Sequence, residues 1–419
     1  MKKPEMLLVV VLSILCLIQP LSAQDNFYLK YGDRLVFYGD SITEQKLYTN
    51  FVESYVVTRF PKLKVKFINK GWLGDKISGG GGGTLQTRLT RDVLPYHPDV
   101  MVVLLGMNDA NFRSFDQSNL ERFISEYETL IGTVKTAFPV TRMTLGQPTA
   151  YDDFTLNAAP VDIGYNDVLL HFGQAIKALA EKKEVDFVDF NAPLVDVLSK
   201  AGRLDPALAR AIIPDRIHPS AAGHWIMAAS LLKAWNAPSL VSAVEINADG
   251  QSVSVANNTE VTEVERKGNM LSWSQFDQCL PAPMSLDDKV LELTRKASDV
   301  IELLNRETLR VTYLTESFYT LKIDGEIIGR FSKEQLSNGI NLATMMTPMM
   351  RQATQVHELT NKHIDLQFTR WRQIQMPFEK SLTLRVLKVL TKMDKLENDV
   401  VRQQWETAQP KLRKYELIP

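Results

Sequence analysis

Four short segments, far apart in the chain but in one order, hold the residue types needed to break an ester. Gly39-Asp40-Ser41 follows the apolar run 34–38; Asn69, Gly71 and Gly74 come next. Gly106-Met107-Asn108-Asp109 follows the apolar run 99–105, and Asp215-Arg216-Ile217-His218 precedes a helix-like stretch. A serine hydroxyl becomes a useful nucleophile only when a base takes its proton, and histidine is the usual base near neutral pH. His218 is the candidate base for Ser41. Asp215 lies three residues before it, and on a tight turn that carboxylate can hold one imidazole nitrogen and leave the other facing the hydroxyl. Attack on an ester also creates an oxyanion, which needs donors already in place. The backbone N–H groups of Ser41 and Gly74 and the side-chain amide of Asn108 are the candidates. Glycine lets the main chain approach closely, and asparagine donates without needing a proton from solvent.

Each segment alone has a plainer reading. Ser41 is a favoured helix N-cap type, Asn108-Asp109 suits a turn, and Asp215 with His218 suits a surface loop. The four in order favour the site. Asp40 reads as a residue that fixes its loop by hydrogen bonding. His224, six residues after His218 on an expected helix, should point elsewhere and reads as structural, while His97, His171, His357 and His363 show no partner pattern. The nucleophile elbow of α/β-hydrolases is excluded, because it needs glycine two residues after the serine and Thr43 stands there. No H-E-x-x-H, cysteine pair or histidine cluster is present, so neither a metal nor a cofactor is expected. Gly79–Gly83 lacks the Gly-Lys-Ser/Thr ending of a phosphate loop; it is expected to be a flexible rim beside the site or a disordered loop.

With these blocks, the chain resembles the SGNH hydrolase superfamily of GDSL-type lipases, esterases and acylhydrolases. Ser41, Gly74, Asn108 and His218 stand at the four positions for which that superfamily is called, and the likeness runs over roughly residues 30–236. Two departures are Ile42 in place of leucine after the serine, and the five-glycine run where the family has an ordinary loop. The resemblance implies an α/β, flavodoxin-like three-layer α/β/α fold and a serine esterase working through an acyl-enzyme, with no cofactor. Export and family analogy favour an O-acetyl or short acyl ester on a carbohydrate. A lysophospholipase or thioesterase acting on lipid acyl chains is one alternative. A non-catalytic glycan-binding protein on the same fold is another, although it would have no need of the Asp215–His218 pair.

The elements that must position these residues follow from periodicity. Strands are expected at 34–38, 64–69, 99–105, 141–147 and 184–190, and helices at 47–59, 84–94, 118–137, 163–182 and 220–235. This alternation predicts a doubly wound parallel sheet, with the site beyond the carboxyl ends of its strands. After Pro238 the pattern changes. Strands at 241–246 and 252–255 flank Asp249-Gly250, and a helix is expected at 286–306. A hairpin region is expected at 309–314, 319–323 and 326–330, turning at Asp324-Gly325. Ser332-Lys-Glu-Gln335 resembles a capping box, and 347–375 and 379–408 read as an antiparallel helical pair. Trp371, between Arg370 and Arg372, suits stacking on a sugar or, the reading preferred, packing on a neighbour. The expected divisions are 1–23, a catalytic domain 24–237, a small α+β extension 238–345 and a helical segment 346–419. The tail resembles extensions of bacterial SGNH esterases, a likeness that implies no activity for it.

Met1-Lys2-Lys3, the apolar run 6–18 and Pro20-Leu21-Ser22-Ala23 read as a signal peptide cleaved after Ala23. A signal anchor competes, but the run is shorter than the ~20 residues a span needs. The simple leader looks bacterial, which points to the periplasm or medium. Cleavage would leave Cys279 as the one cysteine, so no intrachain disulfide is expected. A formal net charge of −1, with both signs interspersed, suggests neither a nucleic-acid partner nor an anionic membrane surface. The expected partner is a small-molecule or glycan ester.

Overall fold

The computed structural model describes residues 26–155 and 164–419. The leader, residues 1–23, lies outside them. Five parallel strands form the first sheet: β1 (Arg34–Gly39), β2 (Lys66–Gly71), β3 (Val100–Leu104), β4 (Arg142–Gly146) and β5 (Asp186–Val188). Their spatial order is β2-β1-β3-β4-β5. All five residues of β3 are buried, which is why it reads as an unbroken apolar run: a parallel strand has helices over both faces. The helices that frame it include α1 (Ser41–Glu44), α2 (Leu47–Arg59), α3 (Gln117–Ala137), α4 (Tyr165–Lys183), α5 (Ala192–Leu204) and α6 (Ala221–Ala234). The three-layer expectation is met. Helix α5 was not anticipated, and the expected helix at 84–94 is a string of short α, π and 3-10 turns.

The second half contains more strand than the sequence suggested. Strands β6 (Leu240–Asn247), β7 (Ser252–Asn257), β8 (Thr259–Lys267), β9 (Met270–Asp277), β10 (Arg306–Thr312), β11 (Phe318–Ile323) and β12 (Glu326–Ser332) precede a last strand, β13 (Arg413–Ile418). One sheet has the order β8-β9-β13-β11-β12; in the other, β10 pairs with β6, which pairs with β7. Their shared core holds Trp273, Tyr319, Leu321, Tyr415 and Leu417. The Asp324-Gly325 hairpin and the capping box at Ser332 are both present. The helix expected at 286–306 is broken into Lys289–Lys296 and Val300–Leu304, and its last residue opens β10. β10 pairs in parallel with β6 and is no part of the Asp324-Gly325 hairpin.

Between β12 and β13 the chain makes an excursion. Helix α7 (Pro348–Phe368) runs into a π-helical turn (Thr369–Gln375), and α8 (Leu384–Thr407) returns beside it. This helical arm lies against α2. The contacts step by four residues along α2 and back by four along α7: Lys46 Nζ reaches Asp365 (2.6 Å), Asn50 reaches Asn361 (2.6 Å) and Ser54 reaches His357 (2.8 Å). That is the signature of antiparallel helices joined along one face of each. At the centre, buried His363 sits between Glu53 (2.8 Å) and Glu397 (3.3 Å).

Candidate active site

The turn that carries Ser41 is built where β1 ends. Asp40 caps α1, its side chain accepting the N–H of Ile42 at 3.0 Å, and Ser41 opens the helix. Burial pushes the Asp40 carboxyl up to about 8. Its hydrogen bond fits the loop-fixing role read from the sequence. Asn69 braces the turn from β2, donating to the Thr43 carbonyl (2.8 Å) and to Thr49 (3.0 Å). Gly71, also on β2, lies so close to α1 that a Cβ there would stand 2.1 Å from the backbone nitrogen of Glu44. No side chain fits.

His218 arrives on a tight turn before α6. Oδ1 of Asp215 accepts the N–H groups of Ile217 (3.0 Å) and His218 (2.7 Å), while Oδ2 lies 2.6 Å from Nδ1 of His218. One carboxylate thus shapes the loop and orients the ring. Although burial opposes its charge, these hydrogen bonds prevail and hold Asp215 below the usual carboxylate range. On its other side, Nε2 of His218 lies 2.8 Å from the Ser41 hydroxyl. His218 therefore touches both Ser41 and Asp215, as the sequence spacing suggested.

Gly74 has φ +70, a left-handed conformation that glycine adopts without strain. It follows Leu73, which is 63% exposed and walls the cleft. Asn108 stands beyond the end of β3 and donates to the carbonyl of Asp75 at 3.0 Å, which ties the Gly74-Asp75 turn to that strand. The cleft has a volume of about 490 Å³, and Glu44, Leu47, Leu73 and Pro214 surround Ser41 and His218. Glu44 and Leu73 were not singled out from sequence. Glu44 falls three residues after Ser41, but nothing local marks it.

His224 is buried, stacks on Tyr48 with ring centroids 5.9 Å apart, and lies 2.8 Å from Gln45 through Nε2. Burial pushes it down to about 3. It is structural, as read. The five-glycine run is neither a loose rim nor a disordered loop. It forms a two-residue hairpin, and a Cβ on Gly82 would come within 2.7 Å of both Trp72 and Arg88. Trp371 is buried, as the packing reading expected. Among the described residues no His, Cys, Asp and Glu group is arranged to hold a metal, and no helix is long and apolar enough to cross a membrane.

Residues 37–226 match the model of the GDSL-like lipase/acylhydrolase family. The chain is 31% identical over 223 residues to an acetylxylan esterase of Geobacillus stearothermophilus, covering 48% of this chain and 93% of that one. Among solved structures, a gut microbial diltiazem-metabolizing enzyme superposes with a TM-score of 0.81 at 26% identity, covering 95% of this chain and all of the other. The extension is therefore shared with that structure. A Geobacillus stearothermophilus acetylxylan esterase structure aligns over 50% of this chain and 96% of its own, at 25% identity and a TM-score of 0.41.

Proposed function

The chain belongs to the GDSL-like lipase/acylhydrolase family and is a carboxylic ester hydrolase, and from that premise we propose that it cleaves short acyl esters, with O-acetylated carbohydrate as the favoured substrate, through an acyl-enzyme on Ser41. The observation that carries this reading is the unbroken relay from Asp215 to His218 to Ser41, at 2.6 and 2.8 Å, opening into the cleft.

In the first half-reaction Ser41 Oγ bonds to the ester carbonyl carbon while its proton passes to Nε2 of His218. The carbonyl oxygen becomes an oxyanion, held by the N–H groups of Ser41 and Gly74 and by the Asn108 amide. Collapse breaks the bond to the alcohol, which leaves with the proton from His218. Water then attacks the acyl carbon, His218 takes its proton, and the acid departs as Ser41 recovers its hydrogen. Asp215 keeps the imidazole in the orientation and tautomer that both halves require.

The substrate assignment draws on the relative described as an acetylxylan esterase. The signal-peptide reading of residues 1–23 adds export, which would bring the enzyme to acetylated glycans outside the cytoplasm. Within this proposal residues 24–237 carry the catalysis, and 238–345 and 346–419 are its extension. The test is hydrolysis of p-nitrophenyl esters of two, four, eight and twelve carbons, beside Ser41→Ala. Turnover of acetate and butyrate that vanishes in the variant is the expected result. A preference for the longer chains would replace glycan esters by lipid acyl chains, and equal turnover in Ser41→Ala would remove Ser41 from the chemistry.

A further inference from the structure

The helical arm reaches the half that holds Ser41 beside the loop Trp72–Asp75. Its π-helical turn places Trp371 and Arg372 behind the loop Trp72–Asp75, which carries Gly74. Two links run from the arm to this loop. In the first, the Arg372 guanidinium stacks 3.3 Å above the Trp72 ring and pairs with Oε1 of Glu44 at 3.1 Å. The other oxygen of Glu44 accepts the backbone N–H of Leu73 at 2.7 Å. Glu44 and Leu73 are both cleft walls, and Glu44 ends the helix that Ser41 begins.

In the second link, the indole N–H of buried Trp371 donates to Asp92 at 2.9 Å. Asp92 lies 3.2 Å from Arg88, and Arg88 lies 3.2 Å from Asp75; both ion pairs are fully buried, with angles short of a hydrogen bond. Asp75 is the residue after Gly74, and its carbonyl is the one that Asn108 holds. The loop is thus gripped at Leu73 and at Asp75, one residue to either side of Gly74. Both grips lead to adjacent residues of the arm, about 300 positions away in sequence.

We infer that Arg372 and Trp371 are positioning residues for the esterase site: through Glu44 and the Asp92–Arg88–Asp75 chain they fix the loop that offers the Gly74 N–H. This inference rests on the proposed mechanism at Ser41. The physical reason is that an oxyanion donor works only if it is already aimed, since a donor that must reorganise gives up part of its advantage. A planar guanidinium serves here because it stacks on one face and pairs at its edge at once, which a lysine ammonium cannot do.

The test uses the full-length protein and a reaction that needs no knowledge of the natural ester. A fluorophosphonate forms a bond between Ser41 Oγ and phosphorus, expels fluoride, and passes the serine proton to His218. Its labelling rate reads the nucleophile and the oxyanion loop together. Labelling and the kcat and KM for p-nitrophenyl acetate would be measured in wild type, Arg372→Ala, Arg372→Lys, Trp371→Phe and Asp394→Asn. Asp394 pairs with Arg370 on the same arm but not with the loop, so Asp394→Asn reports general loosening of the arm.

The inference predicts at least a tenfold fall in kcat and in labelling rate for Arg372→Ala, with KM within about threefold and circular dichroism unchanged. Arg372→Lys should recover part of the loss, and Asp394→Asn should stay within twofold of wild type. Rates within twofold of wild type in both Arg372→Ala and Trp371→Phe would overturn the inference and leave the esterase reading standing. An equal fall in Asp394→Asn would also overturn it, because the arm would then act only as a brace. No labelling of Ser41 and no turnover in the wild type would overturn both.

Discussion

Both oxygens of Asp215 are engaged, one by two backbone N–H groups and one by the imidazole. Asn at this position would keep the loop contacts to its carbonyl oxygen but turn an N–H₂ toward Nδ1, forcing the wrong tautomer on His218. Asp215→Asn is therefore expected to lower kcat by roughly 10³–10⁴-fold while binding persists. Steady-state kinetics on p-nitrophenyl acetate would check this, and a loss below tenfold would mean that the carboxylate only shapes the turn. Asn108→Ala removes one proposed oxyanion donor and should lower kcat by about 10²–10³-fold. The lost donor acts on an oxyanion present only in the transition state, so KM should move less than kcat.

At the scale of elements, the edge strand β2 and helices α1 and α2 are held by contacts of two kinds. The first is steric: Gly71→Ala would push its methyl into the backbone of α1, where nothing can move aside without moving Ser41. Overpacking typically costs about 1–3 kcal/mol, and here the neighbour is main chain, so a cost at or above that range with loss of turnover is expected. Urea denaturation would measure the cost. The second is electrostatic: His363 sits in the buried seam between α2 and the arm. His363→Leu would leave the buried Glu53 carboxylate without its cation and is expected to destabilise by about 3–5 kcal/mol, again measured by denaturation. Much of the parallel-sheet half is legible in the sequence. A strand buried on both faces is an unbroken apolar run, and Val100–Leu104 shows it. The contacts of His218 with Ser41 and Asp215 were legible because short loops place all three residues. The strands β8, β9 and β13 were not. On β8, for example, Glu260, Glu263 and Glu265 are exposed and only Thr259 is buried, so the segment reads as a charged loop. The seam was equally silent, since Lys46–Asp365 and Ser54–His357 are single polar pairs joined across hundreds of residues.

For the molecule as a whole, the parallel-sheet half and the β-rich extension are clasped by the arm, whose ends return to the extension through β12 and β13. The clasp contains two buried bases whose protons pull stability in opposite directions. Burial opposes the charge on His363, but Glu53 and Glu397 prevail and raise it to about 10. The native state then holds a proton that the unfolded chain releases near 6.5. Its stabilisation is full below that pH and is lost as pH rises through about 10. Lys70, beneath Trp371 and bonded to the Tyr96 hydroxyl at 2.9 Å, is pushed down by burial to about 7. Between about 7 and its ordinary value the unfolded chain binds the extra proton, so this contribution rises with pH. The two offset each other over the same window, and the wild type should show a shallow dependence of stability between pH 7 and 9.5. Lys70→Met removes one side of the balance. Its denaturation midpoint should exceed that of the wild type most at pH 7, and should then fall more steeply toward pH 9.5 because only the His363 contribution is left. Parallel profiles for the two proteins would mean that Lys70 does not titrate in this range, and a profile flat in both would mean that His363 does not either.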